Sequence, residues 1–307
     1  MKIGFLTSCM PERSLEEIAA WAAGNGYEAL ELAAWPSIGD RPFTASHISA
    51  DAFDEAEAER VRRALDEHGL ALSALAYYDN NLAPDASERD AYHAHLRACI
   101  DAAAALGGVP VGTFIGRDPG RTVAENLREA ERVFPPLVDY AGERGVPLMI
   151  ENCVMEGWHP DGYPGNLAYS PELWEWMFGL GLYLNFDPSH LLWLGIDPVE
   201  ALRPYVDRVV HAHAKDAETF PAQRNRFGFF GRISTREEDP WDMGWWQYRI
   251  PGLGQVDFGR YVDTLRDGGF DGVLSVEHED PVWGGTPDKI EEGLRIARDN
   301  LRGLVPA

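Results

Sequence analysis

The sequence is poor in cysteine and in long apolar runs, and each shortage excludes a class of protein. Its three cysteines, Cys9, Cys99 and Cys153, are scattered and odd in number, so neither a disulfide framework nor a cysteine-rich zinc site is supported. No stretch approaches the roughly 18 consecutive apolar residues of a membrane span. The N-terminus also lacks the long apolar segment of a signal peptide. We therefore expect a reduced, cytoplasmic protein that does not associate with membranes.

Basic residues are also scarce. The 307 residues include 27 Lys and Arg against 50 Asp and Glu, which gives a formal net charge of -23. Such a surface repels phosphate backbones and anionic membranes, so nucleic acid is not an expected partner. The hydrophobic share of 45% is sufficient for the core of one large domain.

Short apolar runs alternate with longer amphipathic segments from end to end. Most of the runs are continuously hydrophobic, as are strands of a parallel sheet buried on both faces. The predicted strands are Lys2–Thr7, Ala29–Ala33, Ala71–Tyr77, Val111–Ile115, Pro147–Glu151, Leu182–Asp187, Val209–Ala214 and Gly272–Glu277. Helix start signals follow them, such as the capping-box pattern that begins at Ser14. This strict alternation predicts one (β/α)8 TIM barrel over residues 1–307.

Two connections are too long to be plain turns. Asn152–Tyr169 follows the fifth predicted strand, and an aromatic-rich insertion over about residues 216–254 follows the seventh. Both begin at the carboxyl ends of strands, where barrel enzymes place their active sites. Long loops of this kind are typical of lids, substrate walls or subunit contacts. A homodimer or homotetramer would be compatible with the insertion.

Four neighbouring strands of the predicted barrel each end in a carboxylate or an imidazole: Glu151, Asp187, His213 and Glu277. Taken singly, each has a plainer interpretation as a loop carboxylate, a helix cap or a structural histidine. Together at one rim, three carboxylates repel one another unless a cation holds them. Oxygen-rich ligation with one imidazole suits Mn²⁺ or Mg²⁺, and it is compatible with Co²⁺ or Zn²⁺. We therefore predict one divalent metal ion per chain, with Mn²⁺ as the first choice.

Several short motifs resemble those of the xylose-isomerase-like barrel superfamily of sugar isomerases and epimerases, and the resemblance covers the whole chain. The matching segments are Glu151-Asn152, Asp187-Pro188-Ser189-His190, His213-Ala214-Lys215-Asp216, Val276-Glu277 and Pro251–Phe258. The resemblance implies that Glu151, Asp187, His213 and Glu277 bind the metal. It also implies that the two glutamates move protons on opposite sides of the substrate, and that His190 contacts substrate oxygens.

The expected reaction is isomerisation or epimerisation of a sugar or sugar-like polyol. A carboxylate removes a proton next to a carbonyl that the metal polarises, which gives an enediolate. If a β-hydroxyl or a glycosidic oxygen leaves instead, the same enolate makes the protein a lyase or dehydratase of a keto-sugar, keto-glycoside or inosose. A barrel that only binds a ligand is a third interpretation. The abasic-site endonucleases of this scaffold need further histidines, which the third and fourth predicted strand ends lack.

The remaining candidate substrate contacts each have a structural alternative. Trp35, Tyr77 and Tyr78 lie at the ends of the second and third predicted strands, where their rings would stack on a sugar or cap the barrel core. His211 shares the inward face of His213, and it is a substrate contact, a support for the metal ligand or a core residue. For Lys215 and Asp216 the two interpretations are contact with the substrate and a solvent-exposed pair on the surface.

The sequence departs from the family pattern just after the metal histidine. Epimerases of free ketoses commonly carry an arginine there, whereas this chain has Ala217–Phe220, and Arg224 and Arg226 lie within the insertion. No cluster of basic residues predicts a phosphorylated sugar. The insertion would suit a bulkier substrate such as a keto-glycoside, or it would serve as a dimerisation arm.

Overall fold

Runs of Ala, Val, Ile and Leu form the strands, because a parallel sheet filled inside and covered by helices outside buries both of its faces. In the computed structural model, residues 1–36, 45–159, 164–230 and 241–305 are described. The strands are β1 (Lys2–Leu6), β2 (Ala29–Ala33), β3 (Ala71–Asn80), β4 (Val111–Phe114), β5 (Leu148–Glu151), β6 (Tyr183–Phe186), β7 (Val209–Ala214), β8 (Asp216–Thr219), β9 (Trp246–Arg249) and β10 (Val273–Val276).

Eight of these strands close into a barrel in the order β1-β10-β7-β6-β5-β4-β3-β2. Every neighbouring pair is parallel. The (β/α)8 barrel predicted from the sequence is therefore confirmed. Because β5, β6, β7 and β10 are consecutive in the barrel, residues at their carboxyl ends meet on one side of the same rim.

Helices pack around the barrel. They are α1 (Leu15–Gly24), α2 (Glu55–Asp66), α3 (Ala86–Ala105), α4 (Val123–Gly142), α5 (Pro171–Phe178), α6 (Ser189–Trp193), α7 (Pro198–Leu202), α8 (Pro221–Phe227), α9 (Phe258–Asp267) and α10 (Pro287–Arg302). Of these, α1, α2, α3, α4, α7 and α9 begin at a side-chain cap. The capping box predicted at Ser14 is present, with Ser14 and Glu17 each accepting a backbone N–H of the other. Within the described part of the chain, no helix has the length and apolar character needed to cross a membrane.

The insertion after β7 forms an antiparallel ribbon that the sequence analysis did not predict. In this ribbon β8 pairs with β9, and the helix α8 follows β8. Residues 231–240 of the insertion lie outside the described residues. The ribbon packs on the barrel through a small apolar cluster of Val154, Trp193, Trp245, Trp246 and Tyr248. The rings of Trp193 and Trp246 stack with centroids 4.5 Å apart, which anchors the ribbon to α6.

Asp216 ties the two ends of the insertion together. Its Oδ1 accepts the backbone N–H groups of Ala217 and Val256, at 2.8 and 2.9 Å. Its Oδ2 accepts those of Gly252 and Gly254, at 3.0 and 2.8 Å. A Cβ atom on Gly254 would lie 2.3 Å from Asp216 Oδ1, so the approach requires glycine. This geometry favours a structural role for Asp216 over contact with substrate.

Candidate metal centre and active site

The four predicted metal ligands meet at the carboxyl-terminal rim of the barrel. Glu151 is the last residue of β5, His213 lies near the end of β7, and Asp187 and Glu277 directly follow β6 and β10. One ligand atom from each residue lies within 4.8 Å of the others. Glu151, Asp187 and His213 are buried, whereas the side chain of Glu277 is 17% exposed. The group therefore faces the cavity mainly through Glu277.

The donor atoms in this group fit a divalent cation. Glu151 Oε1, Asp187 Oδ2, His213 Nδ1 and Glu277 Oε2 are all buried, and none has a hydrogen-bond partner among the described residues. His213 Nδ1 lies 3.4 Å from Glu151 Oε1 and 3.1 Å from Glu277 Oε2. Lys215 Nζ lies 2.9 Å from Glu277 Oε2 and His190 Nε2 lies 3.3 Å from Asp187 Oδ2, but neither contact has hydrogen-bond geometry. Buried polar atoms nearly always form hydrogen bonds, so four converging atoms that form none indicate a shared ligand. Three oxygens and one nitrogen are the donors that Mn²⁺ or Zn²⁺ accepts.

Two further groups of side chains have metal-ligand chemistry, but both are less suited to hold an ion alone. Glu31, His211 and His213 lie together beneath the rim, where hydrogen bonds already join them to their neighbours. Glu151, Cys153 and His190 form the other group, and it shares Glu151 with the four-residue set. The four-residue set is therefore the candidate metal centre.

Neighbouring cations keep two of the buried carboxylates ionised. Burial alone would raise the pKa of Glu151, but its contacts with His190 and His213 outweigh that effect and bring the pKa to about 2. Burial also opposes ionisation of Asp187, and His190 and Lys215 outweigh it and hold the pKa below its usual range. For Glu277 burial prevails against Lys215 and raises the pKa. Negative charge is thus concentrated on Glu151 and Asp187.

Glu31, on β2, orients His213 from across the barrel. Its Oε2 lies 3.0 Å from His213 Nε2 and accepts a hydrogen bond from Ser275 Oγ at 2.8 Å. Its Oε1 accepts one from the hydroxyl of Tyr78 at 2.9 Å. With Nε2 held by Glu31, Nδ1 of the imidazole faces the carboxylates. Such a carboxylate partner fixes the tautomer and the ring orientation of a metal-ligating histidine. The sequence analysis missed Glu31, although a charged residue within Ala29–Ala33 was a usable signal.

Replacing Glu31 by glutamine is expected to weaken divalent-metal affinity by about 10- to 100-fold, as is typical for an outer partner of a ligating histidine. Glutamine keeps the shape of the side chain but removes the charge that holds His213. The affinity is measured by competition against a metallochromic chelator. Glu67→Gln, an exposed position at the end of α2, is the matched control. Equal affinities in the two variants would contradict the orienting role.

Two predicted substrate contacts lie away from the cavity. His211 Nδ1 is 3.0 Å from Asn185 Oδ1 and its Nε2 is 3.1 Å from Ser73 Oγ, inside the barrel beneath the rim. Burial lowers the pKa of His211 to about 4, so this imidazole is neutral. Tyr77 is buried beside α3, with its ring centroid 4.5 Å from that of His95. Neither His211 nor Tyr77 is among the residues that line the cavity.

His190 and Lys215 lie beside the four ligands. His190 Nε2 is 3.4 Å from Glu151 Oε1 and 3.3 Å from Asp187 Oδ2. Lys215 Nζ is 2.9 Å from Glu277 Oε2 and 3.1 Å from Glu279 Oε2. Both side chains are almost fully buried, and Lys215 lines the cavity above the four candidate ligands.

A cavity of about 990 Å³ opens above this centre. Its lining includes the aromatic side chains Trp35, Tyr78, Tyr92, Phe114, Trp158, Trp241 and Tyr248. It also includes the carboxylates Asp79, Glu88, Glu151, Glu156, Glu277 and Glu279. Among the described lining residues, Lys215 is the sole lysine or arginine, and it is already paired with carboxylates. The cavity therefore favours an uncharged molecule with apolar ring faces over a phosphorylated one.

The sequence matches a known family over nearly its whole length. The model of the xylose isomerase-like TIM barrel family matches residues 19–300. A Bacillus subtilis (strain 168) protein, YfiH, is 26% identical over 330 aligned positions that cover 99% of each chain. An inosose dehydratase of Clostridium perfringens is 33% identical over 105 residues, about a third of each chain.

Solved structures share the fold. D-psicose 3-epimerase, determined in the presence of D-fructose, superposes with a TM-score of 0.69 and 18% identity, covering 99% of both chains. The IolI protein with a bound zinc atom gives a TM-score of 0.68 at 18% identity, covering 99% of this chain and 98% of the other. At these identities the likeness shows the barrel architecture alone.

Proposed function

The chain belongs to the xylose isomerase-like TIM barrel family, and from that premise we propose that it is a divalent-metal-dependent sugar isomerase or epimerase. Its substrate is a sugar or sugar-like polyol that loses a proton next to a carbonyl. One observation carries the proposal: four buried donor atoms without hydrogen-bond partners among the described residues converge beneath a large cavity.

Glu151, Asp187, His213 and Glu277 would hold one ion, with Mn²⁺ as the first choice. When bound there, the ion would polarise the substrate carbonyl and stabilise the negative charge that develops as the neighbouring carbon loses its proton. Glu31 keeps His213 in the orientation that this ligation requires. The zinc atom in the IolI structure supports a divalent ion in this architecture.

Glu151 and Glu277 move the proton in this proposal. They come from strands separated by β6 and β7 and reach the cavity floor from different sides. If one removes the proton and the other returns a proton to the opposite face of the same carbon, the product is an epimer. If the proton goes to the neighbouring carbon, an aldose and a ketose interconvert. A carboxylate within hydrogen-bond reach of a carbon acid is the usual base for this chemistry.

His190 and Lys215 bind substrate oxygens in this proposal. Lys215 lines the cavity, 2.9 Å from Glu277 Oε2. The buried Nε2 of His190 lies 3.4 Å from Oε1 of Glu151, a residue that also lines the cavity. Trp35 and Tyr78 line the cavity and offer aromatic faces to the C–H surfaces of a sugar ring. Of the two tyrosines predicted at the end of the third strand, Tyr78 lines the cavity and Tyr77 is not among the lining residues.

A lyase is the second candidate, and two observations favour it. The partial identity to inosose dehydratases points to loss of water from a cyclic polyol ketone. Lys215 also places an ammonium group 2.9 Å from Glu277, where it can protonate a departing oxygen. The metal ligands and the carboxylates that move the proton are the same for the isomerase and for the lyase. The identity of the product therefore distinguishes the two candidate functions.

The proposal is tested by hydrogen exchange. The Mn²⁺-loaded protein is incubated in D₂O with ketoses, inososes and 3-keto-glycosides, and each substrate is followed by NMR. We expect deuterium to enter a carbon beside the carbonyl of at least one substrate, and we expect chelation of the metal to stop the exchange. An epimer or isomer supports the first candidate, whereas an unsaturated ketone or a released aglycone supports the lyase. No exchange with any substrate, despite bound metal, would contradict the mechanism.

A further inference from the structure

One residue of the insertion, Tyr248, lines the cavity next to the candidate metal centre. Tyr248 lies on β9, opposite Ala217 of β8, and it is buried. Its ring packs edge-on against Trp246 with centroids 4.9 Å apart, and Trp246 in turn stacks on Trp193 of α6. Since Asp216 clamps the ends of the insertion as well, Tyr248 is held rigidly against the barrel.

Tyr248 contacts both proposed substrate-binding donors. Its hydroxyl lies 3.1 Å from His190 Nδ1, and the two rings meet edge to face. The ammonium group of Lys215 lies 4.4 Å from the centroid of the tyrosine ring. A cation over an aromatic face is attracted by the ring quadrupole, most strongly where water is excluded.

We propose that Tyr248 is a positioning residue that fixes His190 and Lys215 in the active site, so that the insertion forms one wall of it. With His190 Nδ1 held by the phenol, the direction of the imidazole is set. Nε2 is the atom that faces Glu151 and Asp187, and it has no hydrogen-bond partner among the described residues. The effect on catalysis rests on the proposed function, whereas the effect on His190 and Lys215 does not.

Two substitutions separate the two contacts. Tyr248→Phe removes the hydroxyl that meets His190 but keeps the ring that meets Lys215. Tyr248→Leu removes both. Tyr140→Phe is the matched control, because the Tyr140 hydroxyl on α4 donates to Asp101 on α3, and both helices lie outside the barrel.

The His190 contact is read by NMR of the full chain. In a long-range ¹H–¹⁵N spectrum of labelled imidazoles, His190 is assigned by its loss in His190→Gln. We expect the His190 nitrogen shifts to change in Tyr248→Phe and to stay unchanged in Tyr140→Phe. In a substrate assay, kcat/KM should fall about tenfold in Tyr248→Phe, the effect of one hydrogen bond of about 1.4 kcal/mol.

The Lys215 contact is read by chemical labelling, which this sequence makes simple because it contains three lysines, Lys2, Lys215 and Lys289. Lys2 and Lys289 are exposed and serve as internal references in mass spectrometry. We expect the labelling rate of Lys215 to rise severalfold in Tyr248→Leu and to stay at the wild-type value in Tyr248→Phe. If Tyr248→Leu does not fold, Tyr248→Phe still decides the proposal through His190.

The outcomes are distinct. Unchanged His190 shifts in Tyr248→Phe would overturn the proposal, even if the variant lost stability. Unchanged kcat/KM with an active wild type would overturn it as well. If the wild type turned over no substrate, the proposed function would fail, but the shifts and labelling rates would still show whether Tyr248 holds the two donors.

Discussion

Asp187→Asn is expected to abolish tight binding of a divalent ion, and turnover with it. Asp187 is fully buried, and its two oxygens have different surroundings. Oδ1 accepts the backbone N–H of Ser189 at 2.8 Å, whereas Oδ2 faces the metal centre without a hydrogen-bond partner in the described chain. Asparagine can keep the first contact, but it replaces the charged ligand oxygen. The loss of affinity should exceed the roughly 10- to 100-fold that follows loss of an outer partner.

Thermal unfolding gives a readout of this variant that needs no substrate. A ligand that binds the folded chain alone stabilises it by about 2.7 kcal/mol when its free concentration is roughly 100 times Kd. We therefore expect Mn²⁺ to raise the Tm of the wild type and chelation to reverse the rise. In Asp187→Asn the metal-dependent part of the Tm should vanish. The metal-free variant should be less stable than the metal-free wild type, because His190 and Lys215, which hold the pKa of Asp187 below its usual range, lose the negative charge that they face.

Asp207→Asn is the matched control, because the side chain of Asp207 is 78% exposed. It should retain the full metal-dependent rise in Tm. A rise of wild-type size in Asp187→Asn would show that the ion binds elsewhere, and the four-residue centre would have to be abandoned.

The barrel and the positions of the four candidate ligands follow from local features of the sequence. Buried parallel strands are continuous apolar runs. The polar residue at the carboxyl end of such a run therefore lies at the rim of the barrel. Glu151, Asp187 and Glu277 each occupy that position, and His213 lies one residue before the end of β7. The sequence therefore predicts their convergence without knowledge of any contact between strands.

The contacts that bring Glu31 and Tyr78 into the site depend on closure of the barrel, which no local sequence pattern encodes. Glu31 is 182 positions from His213 and reaches it across the interior from β2, a strand that does not pair with β7. The predicted third strand ended at Tyr77, but β3 continues to Asn80 with an irregular register after Ala76. Inward and outward positions alternate along a strand, so this extension makes Tyr78 the aromatic residue that lines the cavity.

The orientation of the Tyr248 ring depends on the register of the ribbon, and the sequence analysis did not predict this ribbon. The insertion lacks the regular apolar runs of the barrel strands, and its aromatic residues fit a lid or a subunit contact equally well. In the ribbon Tyr248 pairs with Ala217, and a slip of one residue would turn its ring to the opposite face. That register is fixed by tertiary contacts, among them the stacking of Trp193 on Trp246 and the clamp at Asp216.

Glu151→Gln and Glu277→Gln are each expected to lower turnover by about 100- to 10,000-fold, the usual contribution of a positioned acid or base. In each variant the amide oxygen of glutamine can still contact the metal. The side chain can no longer act as a base, because the carboxylate that accepted the proton is gone. The measurement is made at saturating Mn²⁺, with bound metal quantified in parallel, so that loss of the ion is separated from loss of the base. Glu67→Gln should turn over at the wild-type rate.

Exchange and product formation in these two variants separate the candidate reactions. In an epimerase with two bases, each variant should fail to form product but still exchange the proton of the one epimer that its remaining carboxylate can reach. The two variants should then show opposite preferences. In a lyase, the variant that keeps the base should exchange the substrate proton without eliminating the leaving group. The variant that lacks the base should neither exchange the proton nor eliminate the leaving group. If both variants bound metal and kept wild-type turnover, neither glutamate would be the base. Lys215 and His190 would then be the next groups to test, because Lys215 Nζ lies 2.9 Å from Glu277 Oε2 and His190 Nε2 lies 3.4 Å from Glu151 Oε1.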